Sequence, residues 1–308
     1  MKQLLLTALM FFAAFTASGQ SANSASQQSS SSTSQLYDFQ TIDFPDATGT
    51  VAYGLNNCGD VVGLYFDTAG SQHGFLFSKK DGFKTIDVPS AVATQLTGIN
   101  DSHDIVGGWL DNSGIVHGVL IHEGKFIPIN FPGGVDTVAT GINDAGDIVG
   151  GYDLGDQATN IGFVLKKGQF TSFQDPSATP SQTSASGIDI KGRIVGPYTD
   201  PLGQLHGFLL IDGRYSTIDP PDAHVGSEAN GINSHGQIVG QYFNGSVLLP
   251  CQGYVLSGGQ FETVDFPEAA ITALEGINDQ EQIVGGYRIV LSNSGHGFIA
   301  SPRKQEQH

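Results

Sequence analysis

Positive charge is scarce in this 308-residue chain: 13 lysines and arginines stand against 30 aspartates and glutamates, a formal charge of −17. Such a balance repels phosphate backbones and anionic lipid, so nucleic acid is excluded as a partner. Cysteine is nearly absent, and Cys58 and Cys251 are too few for a disulfide framework. The apolar run at residues 4–15 falls short of the roughly 20 residues that a membrane-spanning helix needs, and no later stretch is more apolar, so no membrane span is expected. Catalytic signatures are missing as well: there is no G-x-S-x-G elbow, phosphate loop, H-E-x-x-H helix or paired C-x-x-C.

Lys2 precedes the apolar run, and Ala17, Ser18 and Gly19 follow it, which is the layout of an export signal over residues 1–19. Residues 20–35 are almost wholly Ser, Gln, Ala, Asn and Thr, a composition that cannot bury enough apolar surface to order itself, and they read as a tether. Residues 36–303 form the folded part and residues 304–308 a short tail. The expected location is outside the cell or in the periplasm.

What the chain has in abundance is glycine, 42 residues of it, and the glycines are periodic. Gly54, Gly98, Gly141, Gly187, Gly231 and Gly276 each precede a hydrophobic residue and Asn or Asp. Gly63, Gly107, Gly150, Gly196, Gly240 and Gly285 follow nine residues later. Repetition at roughly 40 to 50 residues is the mark of propeller or solenoid repeats. In the third unit, two short alternating runs flank Asn143-Asp144-Ala145-Gly146, a hairpin with Asn143 opening a type I turn and Gly146 in the left-handed position. Two further strands follow, at 162–165 and 170–173, and then a proline, which cannot donate to a ladder; its counterparts are Pro45, Pro89, Pro132, Pro176, Pro221 and Pro267.

The fold expected is all-β: a six-bladed β-propeller of four-stranded antiparallel blades. Residues 39–43 read as an outermost strand with no partners before it, and residues 296–300 as a third strand with no successor. The N-terminal strand therefore completes the last blade and removes an open edge. An open solenoid gives no reason for such complementary ends. By the same geometry Cys58 and Cys251 fall on opposite faces of non-adjacent blades and stay free thiols.

The steps His73-Gly74-Phe75, His117-Gly118-Val119, His206-Gly207-Phe208 and His296-Gly297-Phe298 resemble the HAF-repeat family of predicted extracellular bacterial proteins, with Gly for the family's Ala and no His in the third and fifth units. The resemblance implies an extracellular, propeller-like repeat and brings no catalytic residues with it.

A residue present in most units is explained by the unit's own folding. The four histidines sit on the third strand of different blades, so they cannot meet on one ion and read as hydrogen-bonding residues. Tyr65, Trp109, Tyr152, Tyr198, Tyr242 and Tyr287 share one position of the second strand and read as packing between blades. Asp67, Asp111 and Asp200, each with Gly three residues on, read as turn openers, because a calcium loop needs about six converging oxygens. No cofactor is predicted, and a divalent cation such as calcium stays open as a bridging ion.

Chemistry unique to this chain must lie where the repeat is broken. The variable positions of the first strand are Val51/Tyr53, Gln95/Thr97, Val138/Thr140, Ser184/Ser186, Glu228/Asn230 and Ala273/Glu275. Tyr53, Gln95, Glu228, Asn230 and Glu275 are the polar ones expected at an axial channel or its mouth, as ligand contacts or as hydration of a wet axis. A second asymmetry is charge: the face of the second-to-third and fourth-to-first connections collects Asp43, Asp46, Asp67, Asp87, Asp111, Asp136, Asp153, Asp156, Asp175, Asp200, Asp219, Asp222, Glu228, Asp265 and Glu268 against Arg288. The function expected is a secreted, monomeric, non-catalytic binding or scaffold module that presents this acidic face to an extracellular protein or a glycan. The alternative is a carbohydrate-active enzyme, glycoside hydrolase or lyase, with Glu228 and Glu275 as its carboxyl pair.

Overall fold

The structure is a computed structural model that describes residues 36–155, 159–178, 182–246, 249–289 and 294–303. The export signal, the tether, Asp156 and the tail at 304–308 lie outside the described residues. Every regular element among them is a strand.

The strands fall into units of four in antiparallel order. The first unit is β2 (Gly49–Leu55), β3 (Val61–Phe66), β4 (Gln72–Ser78) and β5 (Gly82–Thr85); the second is β6 (Ala93–Ile99), β7 (Ile105–Leu110), β8 (Val116–His122) and β9 (Lys125–Ile129). The third is β10 (Thr137–Ile142), β11 (Ile148–Tyr152), β12 (Ile161–Lys166) and β13 (Gln169–Phe173); the fourth is β14 (Gly187–Ile188), β15 (Ile194–Thr199), β16 (Leu205–Ile211) and β17 (Arg214–Ile218). The fifth is β18 (Gly226–Ile232), β19 (Ile238–Ser246), β20 (Leu249–Ser257) and β21 (Gln260–Thr263). The last is β22 (Ile271–Ile277), β23 (Ile283–Arg288) and β24 (His296–Pro302), and its fourth strand is β1 (Tyr37–Thr41). That outer ladder starts two residues earlier than the sequence pattern suggests, Tyr37 opposite Pro302 and Phe39 opposite Ala300, and Asp43, past its end, binds His296. Single parallel bridges, Leu205–Gly226 and Cys251–Ile271, join the last three units into one larger sheet.

The glycines of the second strand have a steric cause. In five units the first strand carries a β-bulge between the residue two before its glycine and that glycine. The carbonyl of the preceding position then presses on the second strand: a Cβ on Gly63, Gly150 or Gly240 would stand 2.0–2.1 Å from Val51, Val138 or Glu228 oxygen, and the ring of Phe75, Phe163 or Tyr254 lies over the same spot. The fourth unit departs from the others, its first strand reduced to two residues. Ser184 donates to the Pro197 carbonyl, and Pro197 has no N–H to return.

The core is a series of inter-unit clusters. Phe44 lies flat on Tyr65 at 3.7 Å, Phe131 on Tyr152 at 3.6 Å and Phe266 on Tyr287 at 3.5 Å, so each connecting segment packs on the unit it enters. The histidines close the outer strands: His73, His206 and His296 bind Asp87, Asp219 and Asp43 through Nδ1, each at 2.8 Å, and each stacks on its second-strand tyrosine. Where the fifth unit lacks His, Gln252 binds Asp265 instead. Both cysteines are free, Cys58 exposed and Cys251 buried.

Candidate functional site

The first strands meet edge to edge. A Cβ on Gly54 would lie 2.9 Å from Gly98 Cα, one on Gly98 3.3 Å from Gly141 Cα, and one on Gly231 3.1 Å from Gly276 Cα. One on Gly276 would lie 2.7 Å from the Tyr53 carbonyl, so the contacts close on themselves. Only glycine allows this approach. The residue before it, at the bulge, is turned toward the next unit: Thr97 donates to Ala139 O at 2.9 Å, Thr140 to Ala185 O at 2.9 Å and Asn230 to Leu274 O at 3.0 Å.

Glu275 and Tyr53 occupy the same bulge position in the last and first units. Burial, and then the neighbouring charge of Glu228, raise the Glu275 carboxyl to about 8. Burial likewise raises Glu228, against the opposing effect of a short hydrogen bond from Gln241 Nε2, and burial with the Glu275 charge raises the Tyr53 phenol. These side chains lie deep in the molecule yet are only half-buried by surface area. Glu228, Glu275 and Tyr53 thus share one electrostatic neighbourhood. Asn230 spends its amide on the neighbouring strand, and Gln95, in the second unit, is buried at 6 % exposure.

Two residues of this neighbourhood escaped sequence reasoning. Gln241 stands directly opposite Glu228 in the ladder, and Cys251 donates its thiol to Gln241 Oε1 at 3.4 Å. Position 241 is Leu, Gly, Gly, Pro and Gly in the other units, a polar departure that the strand register would have placed beside Glu228.

Elsewhere among the described residues lie two cavities of note. One, about 90 Å³, is a depression ringed by the Asn and Asp turns of the first strands, floored by Leu55, Ile99 and their counterparts. The other, about 260 Å³, is a cleft between the fourth-to-fifth connection and the outer half of the fifth unit. Neither is lined by Glu228 or Glu275. Among the described residues no three His, Cys, Asp or Glu converge as metal ligands, and Asp67, Asp111 and Asp200 spend their carboxylates on turn N–H groups and a histidine.

No protein-family profile and no curated protein matches the sequence. Solved structures do. AofleA from Arthrobotrys oligospora is similar with a TM-score of 0.56 at 11 % identity, over 88 % of this chain and 91 % of that one. A variant of the Aleuria aurantia lectin in complex with Fucα1-6GlcNAc has a TM-score of 0.52 at 12 % identity, over 83 % and 95 %. A gluconolactonase from Xanthomonas campestris has 0.50 at 10 %, over 87 % and 90 %. The fold is a β-propeller. At such low identity the likeness carries the architecture and not the activity.

Proposed function

We propose that the protein is a six-bladed propeller of the HAF-repeat type, exported from the cell, acting as a non-catalytic binding module through its acidic loop face. The reading of six blades draws on the six sequence repeats, on the pairing of β1 with β24, and on the side-chain amides of Asn56, Asn100, Asn143, Asn233 and Asn278, each bonded to a backbone carbonyl of the next unit.

The observation that carries the function is the distribution of exposed charge. Asp43, Asp46, Asp87, Asp222 and Glu268 are exposed on the connections that enter the first strands of the first, second, fifth and last units. At or beside the turns of the opposite end Lys79, Lys80, Lys167, Lys191 and Arg214 are exposed among Asp81, Asp101, Glu123, Asp144 and Asp212, so that end is of mixed sign. Turn N–H groups and histidines fix further carboxylates on the acidic side, so its field is rigidly held and suited to steering a cationic protein partner. A glycan is the other ligand class, supported by the lectin among the similar structures.

The enzyme alternative draws on the shared neighbourhood of Glu228 and Glu275. Against it stands the depth of both carboxyls, which neither of the two described cavities reaches. The test compares two triple variants of equal net charge in binding to poly-lysine: Asp46→Asn/Asp222→Asn/Glu268→Gln on the acidic face, and Asp81→Asn/Glu123→Gln/Asp212→Asn on the other. Only the first is expected to weaken binding; equal loss in both would reject the acidic face as the contact surface.

A further inference from the structure

Three units share a box of aromatic rings. Phe44 lies on Tyr65 and meets Phe83 edge-on at 5.4 Å; Phe131 lies on Tyr152 and meets Phe170 at 5.2 Å; Phe266 lies on Tyr287 and meets Phe39 at 5.3 Å. In each, the phenylalanine precedes proline and its carbonyl accepts from the N–H three residues on, Ala47, Gly134 or Ala269.

The fifth unit has the walls of this box without its filling. Tyr242 and Phe261 take the places of the tyrosine and the edge-on phenylalanine, and Pro220 takes the place of the stacked ring, its carbonyl accepting from Ala223 N–H in the same turn at 2.9 Å. The substitution is accommodated locally. Phe44, Phe131 and Phe266 donate their N–H to Thr50, Thr137 and Thr272; Pro220 has none to give, and Ser227 in the matching position turns to Asp219 at 2.6 Å instead. A pyrrolidine ring reaches less far than a phenyl group. The 260 Å³ cleft lies here, lined by Pro220, Asp222, Tyr242, Tyr254, Phe261 and Thr263.

The geometry points to this cleft as a binding site for one neutral pyranose unit of a glycan. A cavity of about 150 Å³ holds benzene, so 260 Å³ has room for a six-membered ring with its substituents. Its walls suit a flat ring, since a phenyl group fills the same box three times in this chain. Two carboxylates line the cleft, the exposed Asp222, close enough to act on Tyr242 electrostatically, and Glu262; they are acceptors for sugar hydroxyls and repellents for uronic and sialic acids. The inference rests on the binding-module reading but not on the acidic face as a whole, because a neutral sugar is not steered by charge.

The experiment is saturation-transfer NMR on the mature protein with methyl pyranosides of neutral hexoses, deoxyhexoses and N-acetylhexosamines. Transfer from aromatic protons is expected for at least one of them, unchanged by added salt. Pro220→Phe should refill the box and abolish it, whereas Pro220→Ala should keep it. If Pro220→Phe fails to fold, Asp222→Ala reads the same cleft, with affinity expected to fall by about fivefold to tenfold. No transfer to any neutral pyranoside, transfer that survives Pro220→Phe, or binding of phenethylamine in the absence of any sugar response would each overturn the assignment. Salt-sensitive poly-lysine binding without sugar binding would refute the cleft alone.

Discussion

Asn278 Nδ2 donates to the backbone carbonyl of Asn56 at 3.1 Å, joining the last unit to the first across 222 residues of sequence. The same amide position links the intervening units, from Asn56 to Asn100, Asn100 to Asn143, Asn143 to Asp189 and Asn233 to Asn278. Between the fourth and fifth units Asp189 has no amide to offer, and its partner Arg193 reaches the Asn233 and Ser234 carbonyls in its stead. Asn278 also caps its own turn, its Oδ1 accepting from Gln280 and Gln282.

Asn278→Ala removes these buried bonds together and is expected to cost about 1–3 kcal/mol, read by urea denaturation. Asn57→Ala, on a half-exposed residue of the neighbouring turn, is expected to cost less. Equal costs would show that the amide linkage is not what holds the ends together.

In the third-unit turn, Gly146 has φ of 76°, and its counterparts His103 and Glu281 adopt 63° and 60°. A β-branched side chain is strained there, so Gly146→Val should destabilise by at least about 1 kcal/mol more than Ala145→Val. Matching thermal midpoints for the two variants would contradict the turn assignment.

Much of this was legible in the sequence because it is local. Turn glycines, capping asparagines and strand-ending prolines each answer a backbone requirement within a few residues. The position of Glu228 relative to Glu275 was not, since Glu228 sits in regular register opposite Gln241 whereas Glu275 sits in the bulge before Gly276, which shifts its side chain off the strand's simple alternation. The cleft was half visible. Phe44-Pro45, Phe131-Pro132 and Phe266-Pro267 stand against Val88-Pro89, Asp175-Pro176 and Pro220-Pro221, yet what each departure means depends on the aromatic ring about twenty residues away that the phenylalanine would stack on.

The Glu275 carboxyl supplies a pH test. Its value is about 8 in the folded protein against an ordinary 4.5, so between these limits the folded state holds a proton that the unfolded chain has lost. Stability from this group is therefore complete below 4.5 and lost as pH rises through 8. Glu275→Gln should flatten that slope, raising the thermal midpoint by a few degrees at the alkaline end and leaving it nearly unchanged at the acid end. A variant with the wild-type slope would remove Glu275 from the account.

The two thiols should differ in reactivity while both remain reduced. Cys58 is exposed, whereas burial, with the charges of Glu228, Asp265 and Glu275, raises the Cys251 thiol well above its ordinary range. Native-state labelling is expected to modify Cys58 rapidly and Cys251 only on unfolding, with both counted in denaturant without reductant. An intramolecular bridge found by mass spectrometry would contradict the arrangement of the first and fifth units.

The most direct test of the binding-module account is the affinity of the mature protein for poly-lysine, measured by calorimetry as ionic strength rises from about 0.01 M to about 1 M, where the screening length shrinks from roughly 30 Å to roughly 3 Å. The account predicts a steep loss of affinity that is shallower in Asp46→Asn/Asp222→Asn/Glu268→Gln than in the charge-matched variant of the opposite face. An affinity that does not change with salt, or one whose salt dependence is the same in both variants, would contradict it.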